Sequence, residues 1–216
     1  MLLKERYQAV LKEFTYHGVK PVVLLKYRSD FDLLVAVVLS AQCTDKRVNS
    51  VTPGLFAAFP DVYSLAGAGV EEVLGYIGSV SYPRNKARYV VGIARRLVDD
   101  FQGRVPDDLA SLLSLPGVGR KSAHVVLSVL YNRDVIAVDT HVFRVSKRLG
   151  LVSKRASTPL SVEKELMFHL PKGYRKYLNR WFISHGRHTC TAIKPRCDRC
   201  PFADWCLFFS KRKKLV

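Results

Sequence analysis

The apolar residues of this chain recur at helical spacing almost throughout. Phe31, Leu34, Val35, Val38 and Leu39 follow the i, i+3, i+4, i+7, i+8 pattern of a helix face. Ala123, Val126, Leu127 and Leu130 share that spacing, as do Tyr174, Tyr177, Leu178, Trp181, Phe182 and His185. Strict alternation of apolar and polar residues is scarce, so a half-buried strand has little to build on. Gly and Pro punctuate the helical stretches at Pro53-Gly54, Pro83, Pro106, Pro116-Gly117, Pro159 and Pro171. The pattern predicts an all-α protein of about ten short helices. Its 216 residues suffice for one domain, or for two small lobes that share a core. No long linker separates such lobes, so they are expected to associate closely.

The longest apolar stretch, Leu33 to Ala41, falls far short of the ~20 residues that a membrane helix needs. The N-terminus, Met-Leu-Leu-Lys-Glu-Arg, has no apolar signal core and no small-residue cleavage site. A cytoplasmic protein is expected, nucleoid-associated if it binds DNA. Charge favours that partner. Thirty-five Lys and Arg face eighteen Asp and Glu, for a net charge of +17. Residues 172–216 hold twelve of the bases and two Asp, so +10 sits in this last stretch. A chain this basic is suited to a polyanion, above all nucleic acid. A solvated basic surface is the plainer alternative.

Leu115-Pro116-Gly117-Val118-Gly119-Arg120-Lys121 joins two helical stretches. Gly117 and Gly119 open backbone conformations closed to other residues and let a phosphate approach the main chain. Val118 between them can plug the turn into the core. A helix starting near Arg120 would aim its free N–H groups and positive dipole end at that phosphate. This is a helix-hairpin-helix pattern, which grips the DNA backbone without reading sequence. Lys121 falls in the first turn of the second helix, where the dipole disfavours a cation. The uncharged amine is the form that attacks carbon and builds a Schiff base. Taken alone, Lys121 reads first as a phosphate-binding or surface lysine. Eighteen residues on, Ile136-Ala137-Val138 leads into Asp139-Thr140-His141 and another helix. Asp139 or Thr140 serves as a helix cap there, and Asp139 also offers a carboxylate to the amine.

Five cysteines complete the candidate set. Cys43 stands apart and is expected to fill space as a small apolar residue. Cys190, Cys197, Cys200 and Cys206 are spaced Cys-x6-Cys-x2-Cys-x5-Cys. In a reducing compartment such crowding points to a metal site rather than a disulfide framework. Four thiolates suit Zn²⁺ or an iron–sulfur cluster, and ligand chemistry does not separate the two.

Taken together, Leu-Pro-Gly-Val-Gly-Arg-Lys at 115–121 and Ala-Val-Asp-Thr-His-Val-Phe-Arg-Val at 137–145 resemble the helix-hairpin-helix and Gly/Pro–Asp loop of the DNA glycosylases. Ser40-Ala41-Gln42-Cys43-Thr44-Asp45, Trp181-Phe182-Ile183-Ser184-His185-Gly186-Arg187 and the cysteine tail are similar to the endonuclease III family within that superfamily. The resemblance runs over roughly residues 5–208. It implies two α-helical lobes with a DNA cleft between them. One is a six-helix lobe over 21–133 that carries the hairpin. The other joins 1–20 to 134–216 and holds a [4Fe-4S] cluster on Cys190, Cys197, Cys200 and Cys206.

The resemblance also implies an activity. A monomeric base excision repair enzyme would turn a damaged pyrimidine out of duplex DNA, release it, and nick the strand 3′ of the abasic site by β-elimination. Lys121 would attack C1′ of the sugar, assisted by Asp139. Gln42 would fill the gap left in the duplex, with a second wedge from the loop at Tyr82. Gly117, Val118, Gly119 and Arg120, with Lys194 and Arg196 of the cluster loop, would hold phosphates. Two positions depart from the family pattern: Tyr82 replaces a commonly aliphatic residue, and Leu113 stands where certain members carry a carboxylate. Two other readings compete. One is a monofunctional adenine or mismatch glycosylase, although such relatives lack the lysine. The other is a noncatalytic DNA-binding module with a structural metal.

Overall fold

The computed structural model describes residues 1–16 and 25–213. The expected lobe boundary between residues 20 and 21, and Lys214 of the basic tail, lie outside them. Every regular element among the described residues is helical. In chain order these are α1 (Leu3–Tyr16), α2 (Asp30–Leu39), α3 (Asp45–Ala58), α4 (Val62–Ala66), α5 (Val70–Ile77) and α6 (Pro83–Phe101). Then follow α7 (Leu109–Ser114), α8 (Arg120–Leu130), α9 (Thr140–Leu149), α10 (Pro159–His169), α11 (Arg175–His188) and α12 (Leu207–Lys213). Two 3₁₀ turns, Cys197–Arg199 and Ala203–Trp205, precede α12. The number exceeds the expected ten or so because α4, α5 and α7 are too short for a 3.6-residue period to register. No described helix is long and apolar enough to cross a membrane.

The chain forms two compact units, Val23–Asn132 and Met1–Val22 with Arg133–Val216. The first contains α2 to α8. Apart from Asp32, helix α2 is apolar and buried from Phe31 through Leu39, as the central helix of a bundle must be. Ser29 caps it, its hydroxyl accepting the Asp32 N–H at 3.1 Å. Helices α3, α6 and α8 line α2, while α6 also lies against α4 and α5, and α7 against α8. The α7–α8 hairpin is therefore anchored to the most buried element of its unit.

The second unit is closed by its own N-terminal helix. Tyr7, Val10 and Phe14 lie on one face of α1 and enter the core with Trp181, Phe182 and Phe202. The Phe14 and Trp181 rings stack with centroids 5.3 Å apart, and the Tyr7 hydroxyl donates to the Leu151 carbonyl at 2.7 Å. Phe202, fully buried between Cys200 and Cys206, fixes the cysteine segment to this same core.

Candidate active site

The turn between α7 and α8 is built from two buried anchors and two glycines with different duties. Leu115 and Val118 are 2% and 6% exposed, and the Val118 N–H donates to the Leu115 carbonyl at 3.2 Å. Gly117 has φ +72°, and a Cβ there would meet the Tyr89 ring at 2.5 Å. Gly119 corrects the expectation of special backbone at both glycines. Its φ of −90° is open to any residue, and a Cβ would meet no atom within 4 Å. Gly119 instead leaves space open at the start of α8, where no side chain caps the helix. Arg120 and Lys121 occupy the first turn, both exposed. The Lys121 amine makes no hydrogen bond or ion pair among the described residues.

Asp139 stands at the head of α9, in the other compact unit. The buried segment Ile136-Ala137-Val138 leads to it, pinned by the Asn179 amide donating to the Ala137 carbonyl at 2.7 Å. Asp139 is the N-cap, one oxygen accepting the Val142 N–H at 2.7 Å. The cap reading and a chemical role are compatible, because a carboxylate has a second oxygen. Two residues on, His141 Nδ1 lies 3.2 Å from the Arg144 guanidinium. Since Arg144 can only donate, Nδ1 accepts and the neutral ring carries its proton on Nε2. Burial holds His141 below the usual histidine range, with the Asp139 charge opposing and Arg144 and Arg187 reinforcing. Arg144 also donates to the Cys190 and Gly186 carbonyls at 3.1 and 3.0 Å. The helix that Asp139 caps is thus joined to the first cysteine of the cluster.

The two predicted DNA wedges share a backbone anomaly. Gln42 and Tyr82 have φ of 53° and 56°, in the left-handed region. For a residue with a side chain this conformation costs about 1–2 kcal/mol. Both are exposed, Tyr82 by 63%, and the Ser81 hydroxyl donates to the Gln42 carbonyl at 2.7 Å. The structure therefore brings these two loops together. Leu113 is 40% exposed on α7. Cys43 is half-buried, its N–H donating to the Ser40 carbonyl at 3.1 Å.

In the same unit, Cys190 and Cys206 are buried and Cys197 and Cys200 half-buried. Burial is the main cause pushing the Cys200 thiol up to about 11, and the neighbouring cysteine charges add to it. Burial and then Cys206 and Cys190 likewise raise Cys197. The four sulfurs thus act on one another. Arg148 closes the loop between the first two, donating to the Thr191 and Ala192 carbonyls at 2.6 and 2.7 Å. Its guanidinium lies over the Phe208 ring at 4.3 Å. Lys194 and Arg196 project from this loop, both exposed.

The sequence matches the HhH-GPD superfamily of base excision DNA repair proteins over residues 35–172. It matches the iron–sulfur binding domain of endonuclease III over residues 190–206. Endonuclease III of Rickettsia felis is 40% identical over 201 residues, 93% of each chain. That of Synechocystis is 44% identical over 183 residues, 84% of this chain and 83% of its own. The chain belongs to the endonuclease III family. A solved structure of a trapped endonuclease III–DNA covalent intermediate superposes with a TM-score of 0.91 at 41% identity, covering 99% of this chain and 100% of that one.

As in other members of the endonuclease III family, the cofactor is a [4Fe-4S] cluster, and the donor set fits it. Cys190, Cys197, Cys200 and Cys206 supply the four thiolates that such a cluster takes, two of them buried and two half-buried. Sequence reading missed Arg148 and Lys86. The signal for Lys86 lay on α6, where it occupies the apolar face with Val90, Ile93 and Leu97.

Proposed function

We propose that Lys121 is the nucleophile of a DNA glycosylase with AP lyase activity and that Asp139 is its acidic partner. The enzyme is a bifunctional base excision repair glycosylase of the endonuclease III type. The observation that carries the assignment is Lys121 itself: an exposed amine, unpaired among the described residues, in the first turn of a helix that no side chain caps and that lies behind an open glycine.

The reaction follows from an amine meeting an extruded sugar. Turning the damaged nucleotide out of the stack costs a few kcal/mol, less for a lesion than for an intact pair. Asp139 takes a proton from the Lys121 ammonium and stabilises positive charge developing on the sugar. The Lys121 nitrogen bonds to C1′ as the glycosidic bond breaks, and the base leaves with its electron pair. Ring opening gives an imine, which makes the C2′ proton acidic. Its removal expels the 3′ phosphate and breaks the strand.

The hairpin residues Gly117, Val118, Gly119 and Arg120 hold the DNA backbone, with Lys194 and Arg196 as a second phosphate contact. Gln42 and Tyr82 enter the duplex where the base has left. Cys190, Cys197, Cys200 and Cys206 hold the cluster, whose iron–thiolate bonds, when formed, cross-link the segment that carries Lys194 and Arg196. The enzyme works on oxidised pyrimidines of chromosomal DNA, in the cytoplasm at the nucleoid.

Incubation with a duplex containing thymine glycol tests this reading. The enzyme should nick the lesion strand without alkali, leaving an unsaturated aldehyde at the 3′ end. A strand that stays intact until alkali is added would mean water, not an amine, displaced the base.

A further inference from the structure

Lys86 is an unusual residue to find inside a helical bundle. It is 4% exposed, on the buried face of α6. Its ammonium donates to the Leu39 carbonyl at 2.7 Å and to the Ala41 carbonyl at 2.6 Å. The Leu39 carbonyl ends α2, where unsatisfied oxygens and the negative dipole end favour a cation, and Ala41 lies two residues beyond it. Burial holds Lys86 below the usual lysine range, with the Cys43 charge opposing. Sequestering an ammonium is costly unless its protons are used, and here at least two are.

The position of the Ala41 carbonyl gives that arrangement a consequence. Ala41 immediately precedes Gln42, whose own carbonyl is held by the Ser81 hydroxyl. The two peptide oxygens flanking the left-handed Gln42 are therefore both tied to the segment bearing Tyr82. Ser81 precedes Tyr82, and the Lys86 N–H donates to the Tyr82 carbonyl at 3.1 Å. Two strained residues on separate loops are locked to each other through two side chains. The Lys86 bond to Leu39 serves the end of α2, whereas its bond to Ala41 and the Ser81 bond to Gln42 lie beyond that helix. Ser40 already caps α2 through its N–H, and α6 begins at Pro83.

We infer that Lys86 and Ser81 are positioning residues that couple the Gln42 and Tyr82 loops into one preformed wedge for base extrusion. The inference rests on the reading that these two loops enter the duplex. Bracing a strained loop in advance removes an ordering cost from the step in which the nucleotide leaves the stack. The brace matters most when a paired, stacked base must be displaced. It matters least when the site is already abasic.

The test uses the holoenzyme under single turnover on two duplexes, one with thymine glycol and one with a preformed abasic site. For Lys86→Met and Ser81→Ala, base release should fall about tenfold while nicking of the abasic duplex falls less than about threefold. Equal loss on both substrates, as general destabilisation would produce, overturns the inference, as does unchanged base release in folded variants. Should Lys86→Met fail to fold by helical circular dichroism, the ratio for Ser81→Ala decides alone. Gln42→Ala is the control for the underlying reading. If it leaves the ratio of the two rates unchanged, the wedge assignment itself fails, whatever Lys86→Met does.

Discussion

At the scale of single residues, one Asp139 oxygen caps α9, and the proposed chemistry requires a charge that the cap does not. Substitution separates the two. Asparagine is as good a cap as aspartate, whereas alanine loses about 1 kcal/mol of helix stability. Asp139→Asn should therefore keep its melting temperature and DNA affinity yet lose at least about a hundredfold in base release. Asp139→Ala should lose both stability and activity. Normal base release by the asparagine variant would reduce Asp139 to a cap. The residue scale is also where sequence reading stopped short. Lys121 and Asp139 stood out because their neighbours form a compact motif. Lys86 did not, because a lysine in a basic chain looks like surface until its partners, 47 and 45 residues away, are known.

At the scale of elements, the hairpin was legible and its internal division of labour was not. Gly119 before Arg120 correctly set the start of α8. Both glycines looked like backbone requirements, yet only Gly117 has a positive φ and a ring against its Cα. Sequence shows a glycine but not the torsion angle that requires it. The distinction predicts different phenotypes. Gly117→Ala should destabilise the protein by at least about 1 kcal/mol, since strain and the Tyr89 ring both oppose it. Gly119→Ala should change stability by less than about 1 kcal/mol, because a methyl there meets no protein atom and lower unfolded-state entropy offsets the preference for glycine over alanine at a helix N-cap. Gly119→Ala should nonetheless bind duplex DNA more weakly, read by fluorescence anisotropy. Full affinity would show that no phosphate approaches this turn. The short helices were lost to sequence for another reason. Five residues, as in α4, complete barely more than one turn, so period and chance look alike.

Across the whole molecule, charge and fold class were plain from the beginning. All-helical architecture followed from apolar spacing, and a polyanionic partner from the +17 charge. The cofactor was open between zinc and iron–sulfur on ligand chemistry alone, and family membership decided it. Charge makes a quantitative claim. Each phosphate neutralised by the protein contributes about −0.9 to the slope of log affinity against log salt on duplex DNA. Lys194→Ala and Arg196→Ala should each reduce the steepness of that slope by roughly one, with little change between sequences. An unchanged slope would remove the cluster loop from the DNA interface. The central claim, however, is that the Lys121 amine attacks C1′ of the sugar and forms an imine. Borohydride reduction during reaction with a thymine glycol duplex tests it most directly, because only an imine is trapped. Wild-type protein should give a covalent protein–DNA adduct on a denaturing gel and Lys121→Ala none. An adduct of equal yield from Lys121→Ala would contradict the account.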